Sequence, residues 1–392
     1  MRYPSSSIVL GLMATFALSA CTQSKETDNP YKHVQVALCN KQVVLLGEGA
    51  SHGEGTTFAF KAKIAQSLIE ECGFSLILFE SSFYESIKVS GQISKGNTAT
   101  VQDIKSAIGP LWSDEVELQS FITFIHQAAN NRLLKLGGID DRFGSRGQDY
   151  TNFEMPVLIT DSLNVERREF CREALHQRMM YSFPETDPYT EEKKQTLLSC
   201  LTEAEESDFQ DKENESLSVM RRSLNRSFYR DLKGTNESFT GRAESMYKNF
   251  EYLFDGSGNR PKTIIWSSTV HAAKTGEVLD VFDGEANFGE YVKTRFGDAA
   301  YALGFSALEG AHYKIGGRIE TLPKAPENSI EAITMTAIDY EFAFVETKEL
   351  ESFATSPAAA IQNRYEKKEW SSLLDGMIIF REQKVPMTKI SK

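Results

Sequence analysis

Short, mostly apolar runs recur along the chain and limit its possible folds more than any other feature of the sequence. They are Val43–Gly47, Leu76–Phe79, Leu133–Ile139, Thr263–Trp266, Tyr301–Phe305 and Leu374–Phe380. Strands with little polar alternation are typical of a sheet that is covered on both faces. Helical patterns separate the runs, such as the mostly apolar stripe at 3–4 spacing from Phe58 to Ile69. This alternation predicts an α/β fold with a mostly parallel central sheet flanked by helices.

The segment 155–260 interrupts this rhythm. It is rich in Glu, Arg, Lys, Gln and Leu and contains few strand patterns. Its periodicity predicts surface or lid helices over Leu163–Met180, Glu191–Glu205 and Leu217–Leu232. We therefore expect one α/β domain over residues 35–390 that includes 155–260 as a large helical (lid) insertion. We also expect this insertion to line the ligand pocket.

The N-terminus is predicted to be a targeting segment rather than part of the fold. Arg2 precedes the apolar run Ile8–Leu18, which suits a signal peptide and is too short to span a bilayer. Leu18-Ser19-Ala20-Cys21 then resembles the lipobox of bacterial lipoproteins, in which the cysteine becomes the lipidated first residue. An ordinary signal peptide with a cysteine near its cleavage site is the alternative.

A lipobox would make residues 1–20 a lipoprotein signal peptide, Cys21 the lipidation site and 21–34 a polar tether. Thr22, rather than an aspartate, follows the cysteine. In the lipoprotein sorting pattern this favours the outer membrane. We therefore expect a protein of the bacterial cell envelope that faces the periplasm and contacts the membrane through its N-terminal lipid only.

The charge and the cysteines limit the classes of partner. The formal net charge is −12 at pH 7, and an acidic surface repels nucleic acid and anionic lipid headgroups. The four cysteines after Cys21 show no C-x-x-C spacing, so they form no zinc or redox motif. Cys171 and Cys200 lie in neighbouring helical segments and could form a disulfide in the envelope. Cys39 and Cys72 lie in apolar contexts, which predicts buried thiols.

Polar residues follow four of the predicted strands. They are Glu48 and His52, then Glu80, then Asp140 and Asp141, and finally Ser267, Ser268 and His271. Ligands of open α/β sheets bind outside the carboxyl ends of the strands, so we expect these side chains to converge. Each also has a purely structural explanation, as a turn residue, a helix cap or a packed core histidine.

His52 is the residue that is hardest to explain structurally. It lies in the glycine-rich turn Gly47–Gly53, between a predicted strand and a helix, where backbone can approach a ligand closely. A histidine beside carboxylates is suited to act as a general base. Ester hydrolysis also needs positive charge or N–H donors for the developing oxyanion. Lys61 and Arg242 are candidates for this role, although from the sequence alone a surface charge is the better explanation of each.

The same turn also matches a serine-hydrolase motif. Gly49-Ala50-Ser51-His52-Gly53 fits the G-x-S-x-G nucleophile elbow. Ser51, Asp140 and His271 follow the Ser-Asp-His order of α/β hydrolases. Against this hypothesis, the turn follows the first strand, which leaves no earlier loop to complete an oxyanion hole.

A divalent metal site is a third hypothesis for these residues. A mixed nitrogen and oxygen ligand set is chemically plausible. No H-E-x-x-H or similarly tight spacing supports it. The candidate ligands are Glu48, His52, Glu80, Asp140 and His271.

Several ordered motifs carry a resemblance to a known family. They are Gly47-Glu48 with Ser51-His52-Gly53 and Lys61, Phe79-Glu80-Ser81-Ser82, Trp112-Ser113, Gly138-Ile139-Asp140, Arg242 with Met246 and Asn249, and Trp266 with His271. Their order and spacing resemble the erythromycin esterase family over residues 35–385.

The resemblance implies one α/β domain with a helical bundle inserted over the strand ends. It also implies hydrolysis of a small-molecule ester or lactone by histidine-activated water, without a covalent acyl-enzyme. The resemblance implies no firmly required cofactor, and it leaves open whether a divalent metal takes part. His52 would be the base, and Glu48 and Glu80 would orient it or the water. The implied catalytic set is His52, Glu48, Glu80, His271 and Arg242, and the implied substrate contacts are Lys61, Asp140 and Ser268.

Two departures from the family pattern affect these expectations. The spacing from Glu48 to His52 is four residues rather than three, which leaves open whether the two side chains touch. Ser268 and Thr269 replace the first histidine and the asparagine of the family's W-A-H-N-A-H motif. The lost histidine motivates an alternative, a non-catalytic envelope lipoprotein that binds a ligand in the same cleft.

Overall fold

The protein is described by a computed structural model over residues 30–143, 149–180, 183–208, 215–233, 235–258, 260–314 and 317–390. The predicted signal peptide and Cys21 therefore lie outside the described residues. Within the described ranges, no helix combines the length and the apolarity needed to cross a bilayer.

An eight-stranded sheet forms the centre of the described fold. Its strands are β1 (Val43–Glu48), β2 (Phe74–Ser82), β3 (Lys135–Asp140), β4 (Lys262–Ser268), β5 (Ala300–Lys314), β6 (Arg318–Thr321), β7 (Phe342–Glu346) and β10 (Gly376–Gln383). A small ribbon pairs β8 (Pro357–Ala358) with β9 (Glu366–Lys367).

The sheet order is β3-β2-β4-β1-β5-β10-β7, with β6 paired to β5. All neighbours from β3 to β10 pair in parallel, whereas β7 and β6 pair antiparallel. Each predicted apolar run overlaps one of the parallel strands, although Leu133–Ile139 and Leu374–Phe380 begin two residues before β3 and β10. The predicted α/β fold with a mostly parallel sheet is therefore confirmed.

Helices accompany the sheet along the chain. They are α1 (Pro30–Cys39), α2 (Gly55–Cys72), α3 (Phe83–Ser94), α4 (Val101–Ile108), α5 (Pro110–Ser113), α6 (Gln119–Asn130), α7 (Met155–Thr160), α8 (Val165–Met179), α9 (Glu191–Asp208), α10 (Glu215–Lys233), α11 (Thr235–Asp255), α12 (Thr269–Ala272), α13 (Phe288–Phe296), α14 (Ile330–Thr336), α15 (Thr347–Ser352), α16 (Trp370–Leu373) and α17 (Met387–Ile390).

Both faces of the sheet are buried under these helices. In β1, Val44 and Leu46 enter one apolar cluster with α2 and α6, whereas Val43 and Leu45 enter another with α11 and α13. Successive side chains of a strand point to opposite faces, so a strand covered on both sides is apolar throughout. This explains why the strands were recognisable as short apolar runs.

The helices predicted within 155–260 are present, but they do not form one uniform lid. Helices α7 to α10 pack with α3 around their own apolar cluster, which includes Phe83, Leu175 and Phe228. Helix α11 instead packs on the sheet. Its Met246 belongs to a sheet cluster, and its Asn249 donates a hydrogen bond to the carbonyl of β3 residue Ile139. The last helix of the insertion is thus part of the α/β body.

Helix α1 begins inside the segment that the sequence predicted as a tether. Val34 is completely buried, and the Tyr31 ring stacks on Phe60 of α2 with centroids 4.8 Å apart. The fold therefore includes residues from Pro30 onward, and the predicted tether boundary at residue 34 is wrong. A ten-residue helix with a short apolar face gave too weak a pattern to be recognised.

Two disulfides join neighbouring helices. Cys171 and Cys200 link α8 to α9, as predicted. Cys39 and Cys72 also form a disulfide, so their prediction as buried thiols is wrong. They are the last residues of α1 and α2, whose ends meet with the two Cα atoms 5.2 Å apart. This meeting depends on helix packing, which the apolar context of each cysteine did not reveal.

Candidate active site

A cavity of about 330 Å³ opens at the carboxyl ends of the strands β1 to β4. Six of the residues predicted for the site line it: His52, Glu80, Asp140, Arg242, Ser268 and His271. Two larger cavities, of about 910 and 920 Å³, contain none of the predicted site residues. The smaller cavity is therefore the candidate site, at the edge of the sheet where the topology predicts ligands to bind.

A tight turn after β1 places His52 at this edge. His52 has a left-handed backbone, with φ of +50°, and its N–H donates to the carbonyl of Gly49 at 3.0 Å. Gly53 passes so close to Tyr313 that a Cβ there would lie 1.8 Å from the Tyr313 carbonyl oxygen. The turn returns the imidazole toward β1, where Nδ1 lies 2.7 Å from Oε1 of Glu48. Glu48 and His52 are thus in direct contact despite the additional residue between them.

Glu48 is completely buried behind His52 and is held by three donors. Besides His52, the indole N–H of Trp112 donates to Oε1 at 2.7 Å, and Nζ of Lys61 donates to Oε2 at 2.6 Å. Burial alone would raise the pKa of Glu48, but the charge of Lys61 and the hydrogen bond from His52 outweigh it and lower the pKa. Glu48 is therefore an ionised acceptor at neutral pH.

His52 becomes a stronger base in this environment. Burial favours the neutral imidazole, but the hydrogen bond to Glu48 and the charges of Glu80, Glu48 and Glu54 raise its pKa overall. Because the Glu48 carboxylate can only accept, Nδ1 carries a proton and Nε2 is the nitrogen that can take up another. Trp112 also contacts the imidazole edge to face, with ring centroids 5.2 Å apart.

Arg242 organises the opposite side of the cavity. Its Nε and Nη2 bind the two Asp140 oxygens at 3.1 and 2.8 Å, and Nη2 also binds Oε1 of Glu80 at 3.0 Å. Its Nη1 lies 2.7 Å from Nε2 of His271. Burial opposes the charged guanidinium, but the charges of Asp140 and Glu80 raise the pKa of Arg242 above its ordinary value. Arg242 is thus a fixed cation that joins α11 to the ends of β2 and β3.

Ser268 and His271 complete the surroundings of Glu80. The backbone N–H and the hydroxyl of Ser268 donate to Oε2 of Glu80 at 2.9 and 3.1 Å. Nε2 of His271 lies 3.2 Å from the other oxygen. Burial would raise the pKa of Glu80, but the neighbouring His271, His52 and Arg242 hold it well below its usual value. The serine that replaces the family's histidine therefore fixes a carboxylate.

Three expectations need correction. Lys61 is completely buried against Glu48 and does not line the cavity, so its predicted contact with substrate is wrong. Arg242 is also buried, so the surface-charge explanation fails for both residues. Among the described residues of the insertion 155–260, only Arg242 lines the cavity, so the expectation that the insertion lines the pocket is wrong. Gly109–Trp112, Val281 and Gln362 form much of the remaining wall.

Two residues of the site, Trp112 and Arg142, were not predicted from the sequence. Trp112 was noted as part of a family motif but had no assigned role, because its contact with Glu48 joins residues 64 positions apart. Arg142 lines the cavity two positions after Asp140, and its backbone N–H donates to that carboxylate. Its position after a strand end was the only available signal.

The structure does not assemble the serine triad. The Ser51 hydroxyl donates to Glu54 at 3.3 Å and lies 3.1 Å from Nδ1 of His312. Asp140 instead binds Arg242, and His271 lies against Arg242 and Glu80. Ser51 therefore faces a different histidine and carboxylate from those that the triad requires.

The predicted metal ligands belong to two separate groups. Glu48 and His52 pair with each other and with Lys61, whereas Glu80, Asp140 and His271 surround Arg242. Across the described ranges, no three or more His, Cys, Asp or Glu side chains are arranged so that they could hold a metal ion. The lysine and the arginine take the positions beside the carboxylates that a metal ion would need.

Comparison with known proteins places the chain in a family. The profile of the erythromycin esterase family matches residues 69–383, which include Glu80, Asp140, Arg242 and His271 but not His52. A Bacillus subtilis (strain 168) protein named "Putative hydrolase YbfO" is 22% identical over 380 residues, covering 88% of this chain and 84% of that protein.

Solved structures show the same fold. A Bacillus cereus protein has a TM-score of 0.69 at 15% identity, over 91% of this chain and 92% of its own. A succinoglycan biosynthesis protein has a TM-score of 0.68 at 16% identity, over 91% of each chain. A mutant of the erythromycin esterase EreC in its open conformation has a TM-score of 0.58 at 15% identity, over 90% of this chain and 93% of its own. The chain belongs to the erythromycin esterase family.

Proposed function

We propose that the protein is a hydrolase that cleaves an ester or lactone with water activated by His52. The observation that carries this proposal is the buried Glu48–His52 pair beside the cavity, with Nε2 of His52 as the available proton acceptor. Membership of the family and the similarity to a protein named as a hydrolase support the same reaction class.

The proposed reaction has two steps. Nε2 of His52 accepts a proton while the water oxygen bonds to the carbonyl carbon, which gives a tetrahedral oxyanion. The carbon–oxygen bond to the leaving alkoxide then breaks, and the alkoxide takes the proton from His52. Glu48 stabilises the imidazolium that forms between the steps. Arg242 lines the same cavity, but Asp140, Glu80 and His271 occupy its donors, so we assign it the positioning of Glu80 rather than contact with the oxyanion.

A panel of short-chain esters and lactones, incubated with the full-length protein in detergent, tests this proposal. Product would be identified by mass, before and after treatment with a chelator. We expect chelator-resistant hydrolysis of at least one compound, and we expect Ser51→Ala to retain it. Loss of activity in Ser51→Ala would favour the nucleophile elbow, and activity restored only by a divalent ion would favour a metal site.

One observation favours a second candidate, a ligand-binding protein without catalysis. Ser268 stands where the family motif has a histidine, so the cavity has one ionisable side chain fewer. In this case the same panel would show binding of a compound by calorimetry but no product. Measured turnover of any panel member would exclude it.

We also propose that the protein is anchored to the cell envelope through a lipid on Cys21. Labelling with fatty acid tests this proposal. The support is the order of basic residue, apolar run and lipobox in the sequence. The outer membrane, facing the periplasm, is the proposed location because Thr22 follows the cysteine.

A further inference from the structure

Among the described residues, the lining of the cavity includes one cation that the proposed reaction does not use. Arg242 is occupied by Asp140, Glu80 and His271, and Lys61 is buried away from the cavity. Arg142 lines the cavity and is exposed to solvent. Its guanidinium makes no hydrogen bond or ion pair with another residue in the part of the chain that the structure describes. Five N–H donors of a permanently charged group are therefore available to a ligand.

Arg142 lies across the cavity from the proposed base. It follows β3, whereas His52 follows β1, and the sheet order places β2 and β4 between them. Three strand spacings separate the two backbones by roughly 14 Å. The charge of Arg242 and burial lower the pKa of Arg142, and the charges of Asp140, Glu80 and Asp141, at the β2 and β3 side of the cavity, oppose this. Arg142 is thus placed to bind a remote part of a substrate rather than the reacting carbonyl.

The cavity restricts what that remote part can be. A volume of about 330 Å³ is at the small end of ligand pockets. Leu111 and Val281 add an apolar lip, with 41% and 38% of their surfaces exposed. A substrate with a short aliphatic segment between its ester and a charged end fits both the size and the lining.

We infer that Arg142 anchors an anionic group, a carboxylate or a phosphate, at the far end of a small ester substrate. Guanidinium groups bind both anions through paired N–H donors. A purely electrostatic role is the competing explanation, because Asp140 and Glu80 together carry one negative charge more than Arg242 neutralises. That the anionic ligand is a substrate rests on the proposed function, whereas its binding can be measured without turnover.

Calorimetry with simple probes tests the anchor directly. The full-length protein would be titrated with succinate, with inorganic phosphate and with the neutral analogue succinamide. We expect at least one anion to bind at least about tenfold more tightly than succinamide, as expected for hydrogen bonds to a charged group. Arg142→Gln should abolish this preference, and the matched control Arg318→Gln, on exposed β6, should keep it.

The two anions distinguish a carboxylate from a phosphate as the group that is recognised. The inference would be overturned if neither anion bound more tightly than succinamide. Equally tight binding by Arg142→Gln would overturn it as well, and would assign Arg142 the electrostatic role.

A pair of isosteric esters extends the test to turnover. Monoethyl succinate and ethyl succinamate differ by the charge of one end group. Arg142→Gln should raise KM for the charged ester by about 10- to 100-fold with little change in kcat, and should leave the neutral ester unaffected. Equal effects on both esters would contradict an anchor. Failure of His52-dependent hydrolysis would count against the proposed function alone, because calorimetry decides the anchor independently.

Discussion

At the scale of single residues, the candidate site depends on how buried charges are paired. Glu48 is ionised because Lys61, Trp112 and His52 all donate to it, and its charge in turn raises the pKa of His52. A histidine with a raised pKa accepts protons more readily but is protonated at low pH. Hydrolysis should therefore lose rate as the pH falls through a value above that of an ordinary histidine.

Glu48→Gln should separate these two effects of the carboxylate. The variant loses the interactions that raise the pKa of His52, so the acid limb of kcat/KM should move to lower pH. The limiting rate should fall by roughly 10²- to 10⁴-fold, because the imidazolium loses its carboxylate partner. A pH profile of kcat/KM measures both quantities. An acid limb that stays in place would show that Glu48 does not set the pKa of His52.

The sequence predicted which residues gather at the site better than it predicted their partners. His52, Glu80, Asp140 and His271 follow strand ends, and parallel strands bring such positions together. The role of Lys61 was not predictable, because its burial against Glu48 depends on the placement of α2 against β1. The contact between Glu48 and His52 depends on one left-handed residue, which spacing alone does not reveal.

At the scale of elements, strands that are covered on both faces were the easiest to predict. Their apolar runs follow directly from burial on two sides, as in β1 and β4. The antiparallel strands β6 and β7 lie outside these runs, and β6 is mostly exposed. Helix α11 was assigned to a lid because it lies within the charged segment 155–260, although one of its faces packs on the sheet.

A buried ion pair attaches α10 of the insertion to the end of β3. Nη2 of Arg230 lies 2.5 Å from Oδ1 of Asp141, which is completely buried. Arg230→Met would leave this carboxylate without its cation and should lower the free energy of unfolding by about 3–5 kcal/mol. Chemical denaturation measures the change, with Arg222→Met on the exposed side of α10 as the control. Equal stability of the two variants would show that the pair does not hold α10 in place.

At the scale of the whole molecule, the fold and the predicted anchor are separated by a short segment. The described fold begins at Pro30, and residues 22–29 can span at most about 28 Å when fully extended. A lipid on Cys21 would therefore hold the start of the fold near the membrane surface. The acidic chain, with a formal net charge of −12, gives no electrostatic attraction to anionic headgroups.

Removal of Cys21 should release the protein from the membrane. In bacterial cells grown with labelled fatty acid, the full chain should carry the label and sediment with membranes. Cys21→Ala should lose the label, and Ser24→Ala, three residues later, should behave as the unmodified chain does. Label on the Cys21→Ala protein would exclude the lipobox assignment.

The central claim is that His52 is the base of a hydrolytic site, and its removal is the most direct test. The measurement is kcat/KM of His52→Ala on an ester that the unmodified protein hydrolyses, with the exposed His33→Ala on α1 as the control. Circular dichroism of both variants would show that the fold is retained. We expect kcat/KM to fall by at least about 10²-fold in His52→Ala and to stay unchanged in His33→Ala. Hydrolysis by a folded His52→Ala at the rate of the unmodified protein would contradict the account.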